Sequence, residues 1–528
     1  MVKNRSTLWY SALVVGWSFD ILYWKKPPGI SFTIHVILLL GLLLYLSRKE
    51  QILPNKSSLM LVPIILLFSL LGFLREEPFT RTLNHLLSLG FLGLFILSFQ
   101  GGRWYAYNMS DYIVGAFRLF INSIGLPFKL ISESKEEEGE GKDLPKDSGW
   151  KRTAPYLRGI LLALPIVAIL ASLLSAADPI FSEWLQDLIE LLRLEKLPEY
   201  ILRLVLISFW TFLIAGIYLY ALTKSREEKL VGVDQPWPPR FLGFTETTII
   251  MGAINLLFFS FVSIQFRYFF GGEKNISLDG YTYSEYARKG FGELLAVAFF
   301  TLFIIMVLSG ITKRENQRDR TTFSILTGAM TVFIGVILVS SLKRLALYEA
   351  AYGFTRLRTY SHLCVLWIGV LFLVILLLEI TQKYRFFTLA TAAAIAGFVL
   401  TMNVINVDAF ITKKNIQRLS LEDAALDTYY LHTLSNDAIP TIISLVNDPL
   451  ISEDEREDIT ATLACRADYF TNMERKWPSL LVPTLIAKNA LEDNPELWQD
   501  EKIIESEWGS KYIEQADEKI YCGYRGWD

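Results

Sequence analysis

The stretch that decides the fold reads YTYSEYARKGFGELLAVAFFTLFIIMVLSGI, residues 281–311. It opens on tyrosines and paired charges, then passes without a turn signal into a run suited only to hydrocarbon. Thr282 and Glu285 have the T-x-x-E spacing of a capping box, with Tyr281 and Tyr286 in the flanking positions of a hydrophobic staple. That spacing predicts a helix start. From Tyr283 to Ile311 the helix holds 29 residues. At ~1.5 Å per residue this is about 43 Å, well beyond a hydrocarbon layer of ~30 Å. Its first turns therefore belong among headgroups, where tyrosine rings and the side chains of Arg288 and Lys289 are at home. Gly290 and Gly292 permit a bend into the bilayer or the close approach of a second helix. Glu285 can pair with Arg288 or Lys289 along the helix surface. Glu293 lies deeper, where a carboxylate is either paired near the interface or functional, because burying it in lipid costs roughly 3 kcal/mol.

The rest of the chain is of the same kind. Its 528 residues are 52% hydrophobic and 14% aromatic, with a mean hydropathy of +0.35, more apolar surface than a water-soluble protein can bury. Eleven runs have the length and composition of spans: 8–24, 30–47, 57–74, 79–100, 156–177, 201–223, 245–270, 291–311, 321–342, 360–382 and 386–405. Asp20 interrupts the first, and Arg81, Asn84 and His85 open the fourth. The runs are continuously apolar rather than alternating, which predicts helices and excludes a barrel. The basic start of the chain has no A-x-A-like cleavage site after it, so the first run reads as a retained span rather than a removed leader.

The expected fold is thus an all-α polytopic transmembrane helix bundle of about eleven spans with a small C-terminal helical extramembrane domain. Residues 1–130 form an N-terminal membrane segment of about four spans, in which the polar and aromatic stretch 104–131 reads as an interfacial helix. Residues 131–152, ISESKEEEGEGKDLPKDSGWKR, have the composition of a disordered linker. Residues 153–405 form a core bundle of about seven spans, and the amphipathic stretch 184–200 lies along its surface or packs on it. Residues 406–528 carry 24 acidic and 12 basic residues, which makes them a water-facing acidic tail. Within it, LHTLSNDAIPTIISLVNDPLISEDEREDITATLACRADYF, residues 431–470, reads as a helix, a turn near Asp448 and Pro449, and a second helix. The Lys and Arg surplus places the N-terminus in the cytoplasm, although all of it comes from the connection between the fourth and fifth spans. An odd number of spans then puts the tail outside the cytoplasm.

Motifs that would name a chemistry are missing. The four histidines and three cysteines show no zinc spacing, and no phosphate loop, dinucleotide fingerprint, serine elbow or calcium loop occurs. The sequence calls for no cofactor, no metal, no catalytic residue and no nucleic-acid partner. Cys465 and Cys522 share the tail and can pair in an oxidising compartment; the other reading leaves both as free thiols.

Three stretches, YTYSEYARKGFGELLAVA, KRLALYEAAYGFTRLRTY at 343–360 and NVINVDAFITKKNIQR at 403–418, resemble in order and spacing the core of a multi-pass bacterial membrane family. That family is catalogued as a domain of unknown function, number four-one-seven-three. The resemblance implies an integral protein of the bacterial cell membrane and supplies no activity. Span parity brings all three stretches to one membrane face, as a polar layer of Glu285, Arg288, Glu293, Arg344, Glu349, Arg356, Arg358, Asp408 and Lys413. One account of that layer is an anchoring belt, with Glu349 paired to a nearby arginine. The other is a site for an anionic headgroup or a partner protein, using arginines as bidentate donors. Three functions fit: an envelope scaffold or regulator whose partners are membrane lipids and another envelope protein reached through the tail; a transporter using Asp20, His35, His85, Asn255, Glu293 and Glu379; or a lipid-handling enzyme with Glu285, Glu293 or Asp408 as base.

Overall fold

The computed structural model describes residues 2–140, 196–226, 239–270, 291–383, 386–420, 425–473, 476–506, 510–515 and 518–522, with scattered positions between 167 and 182. Its membrane part is a bundle of long helices: α1 Arg5–Tyr23, α2 Ile30–Lys49, α3 Leu61–Leu74, α4 Pro78–Leu97, α5 Met109–Glu140, α6 Leu197–Thr223, α7 Phe244–Phe270, α8 Phe291–Ile311, α9 Gln317–Tyr352, α10 Arg356–Ile380 and α11 Phe387–Ile405. Ten helices among the described residues are long and apolar enough to cross a membrane, α2 to α11, with α3 entered through the single turn Lys56–Leu59. The expected first span is the helix α1, which falls outside that set. The expected span 156–177 lies largely outside the described residues, as does the amphipathic stretch 184–200 up to its last five positions.

Two departures from the sequence pattern concern α5. The pattern predicts an interfacial helix over 104–131, whereas Met109–Glu133 is itself long and apolar enough to span. It lies against α6, and the contact explains how so polar a segment packs. Gly216 leaves room for the Ser123 backbone, whose carbonyl oxygen would collide with a Cβ placed there. Phe128 meets Phe212 with ring centroids 4.7 Å apart. Asn122 and Ser123 donate to the carbonyls of Arg118 and Phe120 within the helix, so neither polar group is left unsatisfied. The helix also runs on to Glu140, so the first ten residues of the supposed linker are helical; residues 141–152 lie outside the described set.

Among the described residues the apolar cores fall into three large ones and a small fourth in the tail. One, around Leu8, Leu43, Ile65, Phe95 and Tyr218, joins α1 to α6. The second, around Met251, Ile305, Phe323, Ile334 and Phe372, joins α7 to α11. The third belongs to the tail, but it reaches into both halves through Leu83 of α4 and Tyr360 and Leu363 of α10. Direction along the bundle is fixed at α2. The backbone N–H groups of Lys3 and Asn4 donate to the Glu50 carboxylate beyond its C-terminal end, and at its other end the Ile30 N–H donates to the Leu480 carbonyl of the tail. The N-terminus and the tail therefore lie at opposite ends of the bundle.

Asn406, at φ 54°, turns the chain sharply out of α11; the left-handed region suits asparagine better than most residues. The tail then forms α12 Val407–Arg418, α13 Thr428–His432, α14 Ile439–Leu445, α15 Glu453–Asn472 and α16 Val482–Glu492. Ser452 and Glu455 close a capping box at the start of α15. The tail ends in an element that the pattern does not anticipate, an antiparallel meander of β1 Ile503–Glu505, β2 Lys511–Gln515 and β3 Glu518–Tyr521. It docks on α15, burying Ile513 against Ala461, Ala464 and Cys465. Cys465 and Cys522 are joined as a disulfide, and Lys511 reaches Asp468 at 2.7 Å.

Candidate functional site: a charged junction between bundle and tail

Ionisable and polar side chains converge where the tail meets the bundle. The turn between α3 and α4 supplies Arg75, Glu76 and Glu77. Pro78 occupies the first helical position of α4, and the buried Glu77 carboxylate caps the helix, accepting from the N–H groups of Phe79 and Thr80 at 2.9 and 2.7 Å. Its remaining capacity accepts the Tyr360 hydroxyl at 2.6 Å, tying this turn to α10 in the other half. Beside it, Asn84 and Asn403 exchange side-chain hydrogen bonds at 2.9 Å, and the Arg75 guanidinium donates to the Asn403 carbonyl at 2.9 and 2.6 Å. The last carbonyls of a helix need partners from outside it, and for α11 Arg75 is one of them.

The second centre is Asp408, in the first turn of α12, where the helix end favours negative charge. It is fully buried. Arg356, at the start of α10, donates to both of its oxygens at 2.8 and 2.6 Å, and the Ser435 N–H donates at 2.7 Å. The Arg356 backbone N–H, left free by the helix start, donates to the Tyr430 hydroxyl at 2.8 Å. A guanidinium fork meeting a carboxylate on two bonds is among the strongest polar contacts available to a protein.

The third centre is Asp437, in the tail loop between α13 and α14. It accepts from the backbone N–H groups of Glu76 and Glu77 at 2.7 and 3.0 Å, and Arg75 stands 3.6 Å away. Burial pushes its carboxyl up to about 6, against the pull of those N–H donors and Arg75. Next to it the Asn436 amide and the Thr484 hydroxyl donate to the Glu76 carboxylate at 2.9 Å. Buried Arg466 of α15 braces the loop by donating to the carbonyls of His432 and Leu434 at 3.0 and 2.7 Å. Burial, with Arg466 nearby, holds His432 below the usual imidazole range.

Of the residues expected to share one layer, Arg356 and Asp408 meet directly. Arg358 turns back on its own loop, donating to the carbonyls of Tyr352 and Gly353 and stacking 4.0 Å from the Tyr348 ring. Glu349 is expected beside an arginine, but the side chain 3.0 Å from it is His362. Arg344 lies 3.5 Å from Gln265, Glu293 is exposed at the start of α8, and Lys413 is exposed on α12. Glu285, Arg288 and the expected helix start before Phe291 fall outside the described residues. The polar groups considered for a solute path sit apart: Asp20 is bound by Arg203 at 2.8 and 2.5 Å, His35 meets Ser18 at 3.1 Å, Asn255 donates to the Leu326 carbonyl at 3.1 Å, and Arg314 meets Glu379 at 3.2 Å. His85 packs on Phe32, with ring centroids 4.2 Å apart. Among the described residues, no group of three His, Cys, Asp or Glu side chains is arranged to hold a metal ion.

The family model described as Domain of unknown function (DUF4153) matches residues 62–445. The chain belongs to the DUF4153 family. The three motifs thus point to a family of unknown function but not to number four-one-seven-three. No curated protein and no solved structure matches. With ten such apolar helices among its described residues, this DUF4153 member is a multi-pass integral membrane protein. The matched region starts within α3 and ends with α14, so it takes in the Arg75–Glu77 turn, Arg356, Asp408 and Asp437, the parts of the junction drawn from both halves and the tail.

Proposed function

We propose that this DUF4153 member is a scaffold or regulator of the bacterial cell envelope. Its N-terminus lies in the cytoplasm, and its tail, outside the cytoplasm, is clamped to the bundle and presents a surface to another envelope protein. The observation that carries this reading is the junction itself. Two arginines at the junction are engaged internally rather than open to an anionic headgroup, Arg356 by Asp408 and Arg75 by Asn403 and Asp437. What such an arrangement does is hold an extramembrane domain in fixed register with both halves of the bundle. The disulfide in the tail supports an oxidising compartment for it. A transporter gains no support from the paired and separated polar groups of the spans, and a lipid-handling enzyme gains none from Asp408, whose oxygens are taken by Arg356 and Ser435.

The test is photocrosslinking in native membranes from Tyr429 and Leu450, both exposed on the tail. The scaffold reading expects the same second protein captured from both positions, and loss of that capture when Arg356→Met loosens the tail. Adducts with lipid alone, together with substrate turnover or solute flux by the purified chain, would replace it with one of the other two functions.

A further inference from the structure

Within the tail, the segment Lys476–Ile486, KWPSLLVPTLI, passes beside the start of α2. The Ile30 N–H donates to the Leu480 carbonyl at 3.0 Å, so this piece of tail backbone is level with the first residue of a span. The approach is close: a Cβ at Gly29 would stand 2.5 Å from the Ser479 carbonyl carbon. On the α3 side, Thr484 donates to Glu76, one residue before the buried cap of α4. The segment is therefore fixed at two points to the ends of membrane helices, at the depth where hydrocarbon gives way to headgroups.

Its outward side chains suit that depth and not water. Trp477 is 58% exposed, Leu485 41% and Ile486 51%, in a tail whose overall composition is acidic. Lys476 and Lys488 flank them. The turn between α1 and α2 brings Trp24, Lys25 and Lys26 to the same level, next to Gly29. Tryptophan with lysine is the signature of a membrane–water interface, the ring among headgroups and the ammonium reaching outward. The adjoining helices also expose apolar side chains, Ile34 of α2, Leu70 of α3 and Phe79 of α4.

We infer that the segment Trp477–Ile486 is a membrane-docking surface of the tail, with Trp477, Leu485 and Ile486 seated in the interfacial layer of the leaflet that α2 enters. The occupant is the lipid leaflet itself rather than a protein groove. A single helix face with a few inserted side chains binds lipid weakly on its own, but here the junction already holds it at the surface, so little ordering entropy remains to oppose insertion. The consequence is a tail with two footholds, one in the charged junction and one in lipid. This inference depends on the tail's placement alone and stands or falls separately from the scaffold reading.

The experiment uses the full chain in nanodiscs of zwitterionic lipid with Cys364→Ala, leaving the disulfide intact. An environment-sensitive fluorophore is placed at Leu485→Cys, Ile486→Cys or, as the aqueous reference, Tyr429→Cys. The expected result is blue-shifted emission at 485 and 486, loss of that emission to nitroxide carried high on the lipid acyl chain, and little loss to aqueous iodide, with the reverse at 429. Equal iodide quenching at all three positions would overturn the inference. So would shielding from both quenchers, which would mean that a second protein or a second copy of the chain covers the face. Should the labelled variants misfold, a photocrosslinking side chain at Trp477 in the otherwise unaltered protein gives the same answer, with lipid adducts expected and their absence refuting.

Discussion

Removing Arg356 is the sharpest probe of the junction, because its energetics can be worked from the contacts. Arg356→Met keeps the aliphatic stem but deletes the two bonds of 2.8 and 2.6 Å to Asp408, leaving a fully buried carboxylate with the Ser435 N–H as its remaining donor among the described residues. Breaking a buried pair from one side costs about 3–5 kcal/mol, chiefly as uncompensated charge. The Arg356 side chain is 25% exposed, so part of its attraction is already screened by water and the lower end, about 3 kcal/mol, applies. At about 1.4 kcal/mol per factor of ten, this corresponds to roughly a hundredfold rise in the population in which the loop at Ser435 is open. Hydrogen exchange of the Ser435 amide in nanodiscs reads that population directly, because this N–H donates to Asp408. The pair Arg356→Met with Asp408→Asn removes both charges while leaving an acceptor for Ser435, and most of the protection should return. Unchanged exchange in the single variant, or a double variant as open as the sum of the singles, would refute the claim that this pair clamps the tail.

Two further outcomes rest on the same region. Asp437 has its carboxyl raised from 3.8 to about 6. A raised native value favours the protonated docked form, so its contribution is fully present below about 4 and lost as pH rises through about 6. The junction should therefore tighten on acidification from pH 7 to pH 4, by up to roughly 3 kcal/mol. Asp437→Asn should flatten this dependence in tail melting curves, and an unaltered pH profile would exclude Asp437 as the source. Reducing the disulfide opens a link across 57 residues, worth about 4 kcal/mol by loop entropy. Amide protection over β1 to β3 should fall while α4 and α10 stay protected; a meander equally protected after complete reduction would show that its packing on α15 suffices.

The bundle was legible because a span announces itself locally: α8 and α10 each hold a run so long and apolar that no partner need be known. Where a helix carries its polarity inside a contact, local reading fails. In α5, Arg118, Asn122 and Lys129 look interfacial until Gly216 is seen to admit the Ser123 backbone. The meander escaped notice for the opposite reason, since KYIEQ and EKIY are short and charged and become strands only against Ala461 and Ala464. At the junction, span parity was enough to bring Arg356 and Asp408 to one face. It could not supply Glu77 as the partner of Tyr360 or Asp437 as the acceptor for the Glu76 and Glu77 amides, because those contacts join positions 283 and about 360 residues apart. A carboxylate directly before a proline at a helix start, as in Glu77-Pro78, was the one local signal available.

The position of the charge matters more than its amount. The two halves of the bundle have separate apolar cores, and apolar contact between lipid-soluble helices sets register only loosely, because lipid tails compete for the same surfaces. Directional bonds do not have that freedom. Arg75 and Asn84 from the first half close on Asn403 at the end of α11, Glu77 closes on Tyr360 of α10, and Asp437 of the tail binds the turn that carries Arg75. Each half is therefore tied to the other directly, at Asn403 and at Tyr360, and again through the tail loop. A displacement of one half by a few ångströms exceeds the reach of such bonds, the 2.7 Å contact at Asp437 among them. On the proposed reading, this makes the tail the element that registers how the two halves stand, and a partner bound to the tail would favour one arrangement of them by the difference in its affinity for the clamped and released states.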